Sequence, residues 1–230
     1  MTRTQGRYGK EYFEGRGSFF YRIAGGYRDF RQYFDRLARW FRPYVGRGPV
    51  LDVGCAYGYL LARFDDGRPL VGCDVSAFAV RRARRVLPRA HLLEADAGHG
   101  LPYADGAFAA VFCTDVLEHI APGRQGAALD DMVRVLAPGG HLCMTTPNRA
   151  WVRDLLYRSA DAGEGHVGMA HVDEWRRRLA ARGLSVMDSW TYLHGFVPGR
   201  FRRVRWLPEC ALTARKDGPV ASRRAECQGG

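Results

Sequence analysis

Apolar positions change their period several times along the chain. Tyr27, Phe30, Phe34, Leu37, Ala38 and Phe41 recur at helical spacing, and Pro43 and Gly46 end that helix. Val50 to Val53 reads as a short buried strand running straight into a glycine turn. A helix over Tyr59–Phe64 and a second strand over Pro69–Cys73 follow. Ser76 is placed to cap a helix reaching about Val86, with Pro88 beyond it. Further strands are expected at Ala90–Glu94, Ala107–Thr114 and His141–Thr145, the last after a Pro138-Gly139-Gly140 turn. Asp115 to Leu136 reads mostly as helix, interrupted at Pro122-Gly123. Asp173–Arg182 is a helix stopped by Gly183, Leu184–Trp190 a strand, and Ala211–Ala214 the last strand. Strands alternating with helices over residues 49–150 predict an α/β fold, a doubly wound and mostly parallel sheet.

Two stretches lie outside that alternation. Residues 1–45 combine the first helix with an aromatic run (Tyr8, Tyr12, Phe13, Phe19, Phe20, Tyr21), expected to cover a site as a lid. Residues 46–216 form the main domain, and the polar, glycine-rich residues 217–230 read as a disordered tail.

Composition adds limits. Hydrophobic residues make up 47% and charged residues 26% of the 230, so the chain can bury a core without disulfides or metal. No apolar run is long enough to cross a bilayer, and Met1 to Lys10 leads into no secretory core. The six cysteines form no C-x-x-C pair, and several sit in apolar runs, as expected of buried thiols in a reducing cytoplasm. Arginine supplies almost all of the net +11, but it is scattered rather than gathered into one block. The excess reads as compositional, so nucleic acid is an unfavoured partner though still an open one.

The chemistry begins at Asp52-Val53-Gly54-Cys55-Ala56-Tyr57-Gly58, between a strand and a helix. Ligands of open α/β sheets sit at such strand ends, where glycine lets the backbone approach closely. Asp74 ends the next strand, placed to accept hydrogen bonds from both ribose hydroxyls of a nucleoside. The turn is not the G-x-G-x-x-G of dinucleotide sites, and it lacks the Gly-Lys-Ser/Thr of a phosphate loop. Asp52 ahead of the first glycine disfavours phosphate and favours a cation. A sulfonium nucleoside without phosphate, S-adenosyl-L-methionine, meets those conditions.

Over residues 49–145 the chain resembles the class I S-adenosylmethionine-dependent methyltransferases, of the small-molecule type seen in ubiquinone and natural-product pathways. Val50–Gly58 is similar to their first motif, with Ala56 where the middle glycine stands. Gly72-Cys73-Asp74-Val75-Ser76 is similar to the ribose motif, and Ala95-Asp96-Ala97 to the segment whose Asp meets the adenine amino group. Leu101–Phe108 with Thr114–His119, and Leu136–Gly140, resemble the motifs around the fourth and fifth strands. The resemblance implies a Rossmann-like, seven-stranded sheet with its last strand antiparallel. It implies S-adenosylmethionine as cofactor, with S-adenosyl-L-homocysteine as product. The implied cofactor-binding residues are Asp52, Gly54, Cys55, Ala56, Tyr57, Gly58, Asp74, Val75, Asp96, Ala97 and Thr114.

The end of the fourth strand is expected to face the methyl group. Asp115, Glu118 and His119 are spaced i, i+3, i+4, as on one face of a helical turn. His119 is the candidate base, with an imidazole that ordinarily titrates near neutrality, and Glu118 its catalytic neighbour. The same run resembles the Glu-x-x-Glu-His of metal-binding small-RNA 2′-O-methyltransferases, which would recruit His166 or His171 after Thr146-Pro147-Asn148. Two histidines are unusual ligands for magnesium, so the expectation is a metal-free site. Arg200, Arg202, Arg203 and Arg205, interleaved with Phe201 and Trp206, read as a solvated loop or as an anion-binding one. The expected activity is methyl transfer to a small metabolite, at oxygen. The alternatives are an RNA 2′-O-methyltransferase and a non-catalytic cofactor-binding protein. The oligomeric state, monomer or homodimer, is open.

Overall fold

The structure is a computed structural model that describes residues 7–14, 18, 27, 31–193 and 197–218. Phe19, Phe20, Tyr21 and Phe30, and all of the expected tail beyond residue 218, lie outside the described residues.

Eight strands form one sheet among the described residues: β1 (Val50–Val53), β2 (Leu70–Asp74), β3 (His91–Glu94), β4 (Phe108–Thr114), β5 (Leu136–Pro147), β6 (Leu184–Leu193), β7 (Val197–Phe201) and β8 (Glu209–Lys216). Their order is β3-β2-β1-β4-β5-β8-β6-β7. β1 to β5 pair in parallel, whereas β8 is antiparallel to both β5 and β6. The expected architecture is therefore present with one addition. β7 folds back antiparallel on β6 and adds an eighth strand at the edge.

Seven α-helices occur among the described residues: α1 (Lys10–Phe13), α2 (Arg31–Phe41), α3 (Ala77–Val86), α4 (Pro122–Val135), α5 (Trp151–Leu156), α6 (Arg158–Glu164) and α7 (Val172–Ala180). Ser76 caps α3 as expected, its hydroxyl accepting from the Ala79 amide at 3.1 Å. Side chains alternate across the strands, so each face of the sheet carries its own core. Phe112 and Trp190 pack with Leu37, Phe41 and Phe64 on one face. Val111 and Leu212 pack with Leu129, Met132 and Trp175 on the other. Such double-sided burial is why β4 reads as an apolar run from Phe108 to Cys113.

Four expectations needed correction. Tyr59–Phe64 is not an α-helix but a single 3₁₀ turn, Leu61–Phe64, because Asp65-Asp66-Gly67 follows too soon for a longer one. Asp115–Leu136 is not one interrupted helix. Asp115 has φ +55°, which no helix admits, and a 3₁₀ turn over Leu117–His119 follows it. Pro122 then starts α4 rather than breaking it, since the first helical position needs no amide hydrogen. Pro138-Gly139-Gly140 is an irregularity inside β5 rather than a turn before it. Phe108 pairs with Leu136 and Ala110 with His141, so residues between are looped out of register.

Candidate active site

The glycine turn is built by backbone bonds to β2. The Gly54 and Cys55 amides both donate to the Cys73 carbonyl, at 2.8 and 2.9 Å. Gly54 sits at φ +76°, and a Cβ there would collide with Val116. Ala56, at the position where the family carries its middle glycine, also holds a left-handed φ of +46°. Its amide donates to Asp74 Oδ2 at 2.8 Å, and the Ser76 amide donates to Asp74 Oδ1 at 2.8 Å. The Asp74 carboxylate is thereby fixed in orientation, with lone pairs left for a ligand.

A cavity of about 310 Å³ opens at the carboxyl ends of β1, β2 and β4. Of the expected cofactor-binding residues, Asp52, Gly54, Cys55, Ala56, Asp74, Val75, Asp96, Ala97 and Thr114 line it. Tyr57 and Gly58 stand behind the wall. Tyr57 packs against Phe13 and Tyr27, with ring centroids 5.2 and 4.9 Å apart, and a Cβ on Gly58 would press on Leu87. Asp96 also caps the 3₁₀ turn Ala97–His99 by accepting from the Gly98 amide at 2.8 Å, and its other oxygen lies 2.8 Å from His99 Nδ1.

Charge in the cavity is one-sided. Asp52, Asp74, Asp115, Glu118, Glu164 and Glu209 line it against Arg124 and Arg153. Burial, reinforced by neighbouring Asp74, pushes the Asp52 carboxyl well above the usual carboxylate range. Burial raises Asp74 to about 6, although its two amide donors pull the other way. A carboxyl held as far from water as Asp52 ionises readily only when a cation arrives beside it.

The far end of the cavity carries the expected acceptor-side residues, arranged differently from the helical turn predicted. Asp115 sits in a hydrogen-bonded knot, accepting from Tyr33 Oη at 2.8 Å and from Thr145 Oγ1 at 2.9 Å. Glu118 is fully buried. Its Oε2 accepts from Thr146 Oγ1 at 3.1 Å, while Oε1 has no hydrogen-bond partner. The His119 ring lies 4.9 Å from the His166 ring and 5.4 Å from that of Tyr8, and its Nδ1 has no partner. Burial, then the positive influence of His166 and Arg7, lowers the His119 pKa to about 3. The near-neutral imidazole expected from the sequence is thus replaced by one held uncharged.

Several wall residues carried no motif. Arg153, 1% exposed, pairs with Asp161 and with Glu209, the latter at 2.7 Å. Asp161 Oδ1 also lies 2.8 Å from His166 Nδ1. Tyr8, Tyr12 and Phe13 are buried along the cavity, and Glu14 beside them pairs with Arg82 on α3 at 2.6 Å. Of the other histidine expected near this site, both nitrogens are engaged elsewhere. His171 caps α7 through the Asp173 amide and contacts the Arg205 carbonyl at 3.1 Å. The arginine-rich loop is largely self-satisfied: Arg202 pairs with Asp188, Arg205 reaches Ser189 and Arg200 lies over Trp190.

Comparison with known proteins now decides the family. Residues 50–140 match the methyltransferase domain family. Over that span the chain carries a class I S-adenosylmethionine-dependent methyltransferase domain. S-adenosylmethionine is the methyl donor of that family. The domain is 36% identical over 145 residues to the 23S rRNA (guanine(748)-N(1))-methyltransferase of Streptomyces fradiae, covering 58% of this chain and 48% of that protein. It is 31% identical to the ubiquinone biosynthesis O-methyltransferase of Nitrobacter winogradskyi, covering 51% and 45%. The chain thus spans about half the length of these two curated relatives. Its fold matches magnesium protoporphyrin IX methyltransferase of Synechocystis, solved with bound S-adenosylhomocysteine, at a TM-score of 0.62 and 18% identity, covering 90% and 91%. No helix among the described residues is long and apolar enough to cross a membrane.

Proposed function

We propose that the chain transfers the methyl group of S-adenosylmethionine to oxygen on a small metabolite. The observation that carries this reading is the acidic, aromatic-roofed cavity, in contrast to the basic composition of the chain. Asp52 and Asp74, both in the cavity wall, suit a cationic donor with a ribose. At about 310 Å³ the cavity is at the small end of ligand sites. Tyr8, Tyr12 and Phe13 leave room beside the donor for a compact acceptor.

Methyl transfer from a sulfonium needs alignment and exclusion of water more than bond activation. The buried rings of Tyr8 and Tyr12 supply the dry environment. Uncharged His119, with Glu118 beside it, faces the acceptor end of the cavity.

A second reading, methylation of RNA, draws on the ribosomal RNA relative and the net charge of +11. Incubation with tritiated S-adenosylmethionine separates the two. A panel of phenolic, alcoholic and carboxylic metabolites should accept label, and demethylated ribosomal RNA should not. Label found only in RNA would overturn the small-acceptor reading.

A further inference from the structure

We propose that Glu118, His119 and His166 form a binding site for one divalent first-row transition-metal ion. One ligand atom from each of the three lies within 4.8 Å of the others. All three residues line the cavity wall. Glu118 Oε1 and His119 Nδ1 are buried without a hydrogen-bond partner. Buried polar atoms are almost always paired, and an orphan is costly. Two side chains that each carry an orphan atom, grouped with a third possible ligand at one part of the cavity wall, are explained together by a cation among them.

The surroundings are those of a supported metal site. His166 Nδ1 faces Asp161 Oδ1 at 2.8 Å, which leaves Nε2 for the ion. Asp161 is in turn held by the buried Arg153. Thr146 Oγ1 fixes the second oxygen of Glu118. Carboxylate-to-histidine bonds of this kind orient ligating rings and strengthen them as donors. The excess of acidic side chains in the cavity favours a cation there. Two imidazoles and one carboxylate suit manganese, iron, cobalt or zinc, whereas magnesium and calcium prefer oxygen alone.

The ligand set is narrower than the residue run implies. Asp115 is committed to Tyr33 and Thr145, and His171 to Asp173 and Arg205, so neither joins it. Three protein ligands leave positions open toward the cavity, where an acceptor oxygen can bind the ion and lose its proton more readily. That role rests on the methyl-transfer reading; occupancy of the site does not.

The test uses the full chain, stripped with a chelator and titrated with Co²⁺ in chelator-free buffer, followed by visible absorption and equilibrium dialysis. One ion per chain is expected, displaced by Zn²⁺. His166→Ala and Glu118→Gln should each weaken binding about 100-fold or more. Asp161→Asn should weaken it about tenfold, as loss of an outer-shell partner does. His171→Ala should leave it unchanged. If His166→Ala does not fold, His166→Gln replaces it. Absence of one-to-one binding in the wild-type chain at millimolar Co²⁺ overturns the site, as does equal binding by the folded His166 variant. S-adenosylmethionine affinity, measured by calorimetry on the stripped protein, reports separately on the donor site.

Discussion

The amide of Ala56 donates to Asp74 Oδ2 at 2.8 Å, and it does so from a left-handed backbone that alanine rarely adopts. The ligand-facing carboxylate is therefore oriented by a strained residue one loop away. Left-handed geometry costs a non-glycine residue roughly 1–2 kcal/mol. Part of that is offset because alanine loses less chain entropy on folding than glycine.

Ala56→Gly should therefore raise stability slightly, by up to about 1 kcal/mol, with S-adenosylmethionine affinity unchanged. Ala56→Val, branched in a left-handed conformation, should destabilise by several kcal/mol. Urea unfolding of the pair measures this. Destabilisation by the glycine variant would show that the alanine is unstrained.

Asp74 gives the donor site a pH dependence. Its folded pKa, about 6, lies above its ordinary 3.8, so the unliganded chain loses stability as pH rises between those values. Donor binding has the opposite sign. Hydrogen bonds from ribose hydroxyls favour the ionised carboxylate, so affinity should rise with pH up to about 6 and then level off. Below that point each pH unit should cost about tenfold in affinity. Asp74→Asn should flatten the profile and lose about 1.5–3 kcal/mol of binding at neutral pH. Calorimetry from pH 5 to pH 8 reads both effects, and an unflattened profile in the variant would remove Asp74 from the donor site.

Gly54 should tolerate no side chain. A Cβ there meets both a left-handed φ of +76° and the Val116 methyls. Gly54→Ala should cost about 2–4 kcal/mol through strain and overpacking, and should abolish donor binding in any folded fraction. Thermal unfolding with and without S-adenosylhomocysteine measures it. A ligand-induced rise in Tm like that of wild type would refute the close packing.

The Arg153 cluster should be fragile. Arg153→Met leaves Asp161 and Glu209 buried without their shared cation, and removing one member of such a group typically costs about 3–5 kcal/mol. Burial already raises Glu209 to about 7 despite Arg153 beside it, so loss of the arginine should raise it further. The variant should then be stable only under mildly acidic conditions. Chemical unfolding at pH 6 and pH 8 should show a larger deficit at pH 8, and equal deficits would assign the cluster a packing role alone.

The glycine turn and the strands on either side of it were readable in the sequence because they are local. Asp52, Gly54, Ala56 and Asp74 fall on two consecutive strands and the turn between them, where residue type follows backbone need. The acceptor half was less readable. Residues 151–164 invert the usual pattern: Trp151, Leu155 and Leu156 are exposed, while Arg153, Asp161 and Glu164 are buried. A periodicity reading assigns such a stretch to loop, and α5 and α6 were missed. Spacing also failed at Asp115, since a positive φ, which residue type does not announce, takes it out of any helix, and its carboxylate accepts from Tyr33 and Thr145. The tail of β4 thus kept its residues but lost its predicted geometry.

β8 lies between β5 and β6, and its first residue, Glu209, is in register with Pro147. During synthesis on a ribosome, β1 to β5 and the entire donor loop emerge while Glu209 is still unmade. Arg153 must then wait with half its counter-charge missing until some 56 further residues have been added. A nascent chain can thus acquire a nucleoside-binding surface well before its acceptor wall closes. β8 is then the strand that completes the Arg153 cluster and closes the centre of the sheet.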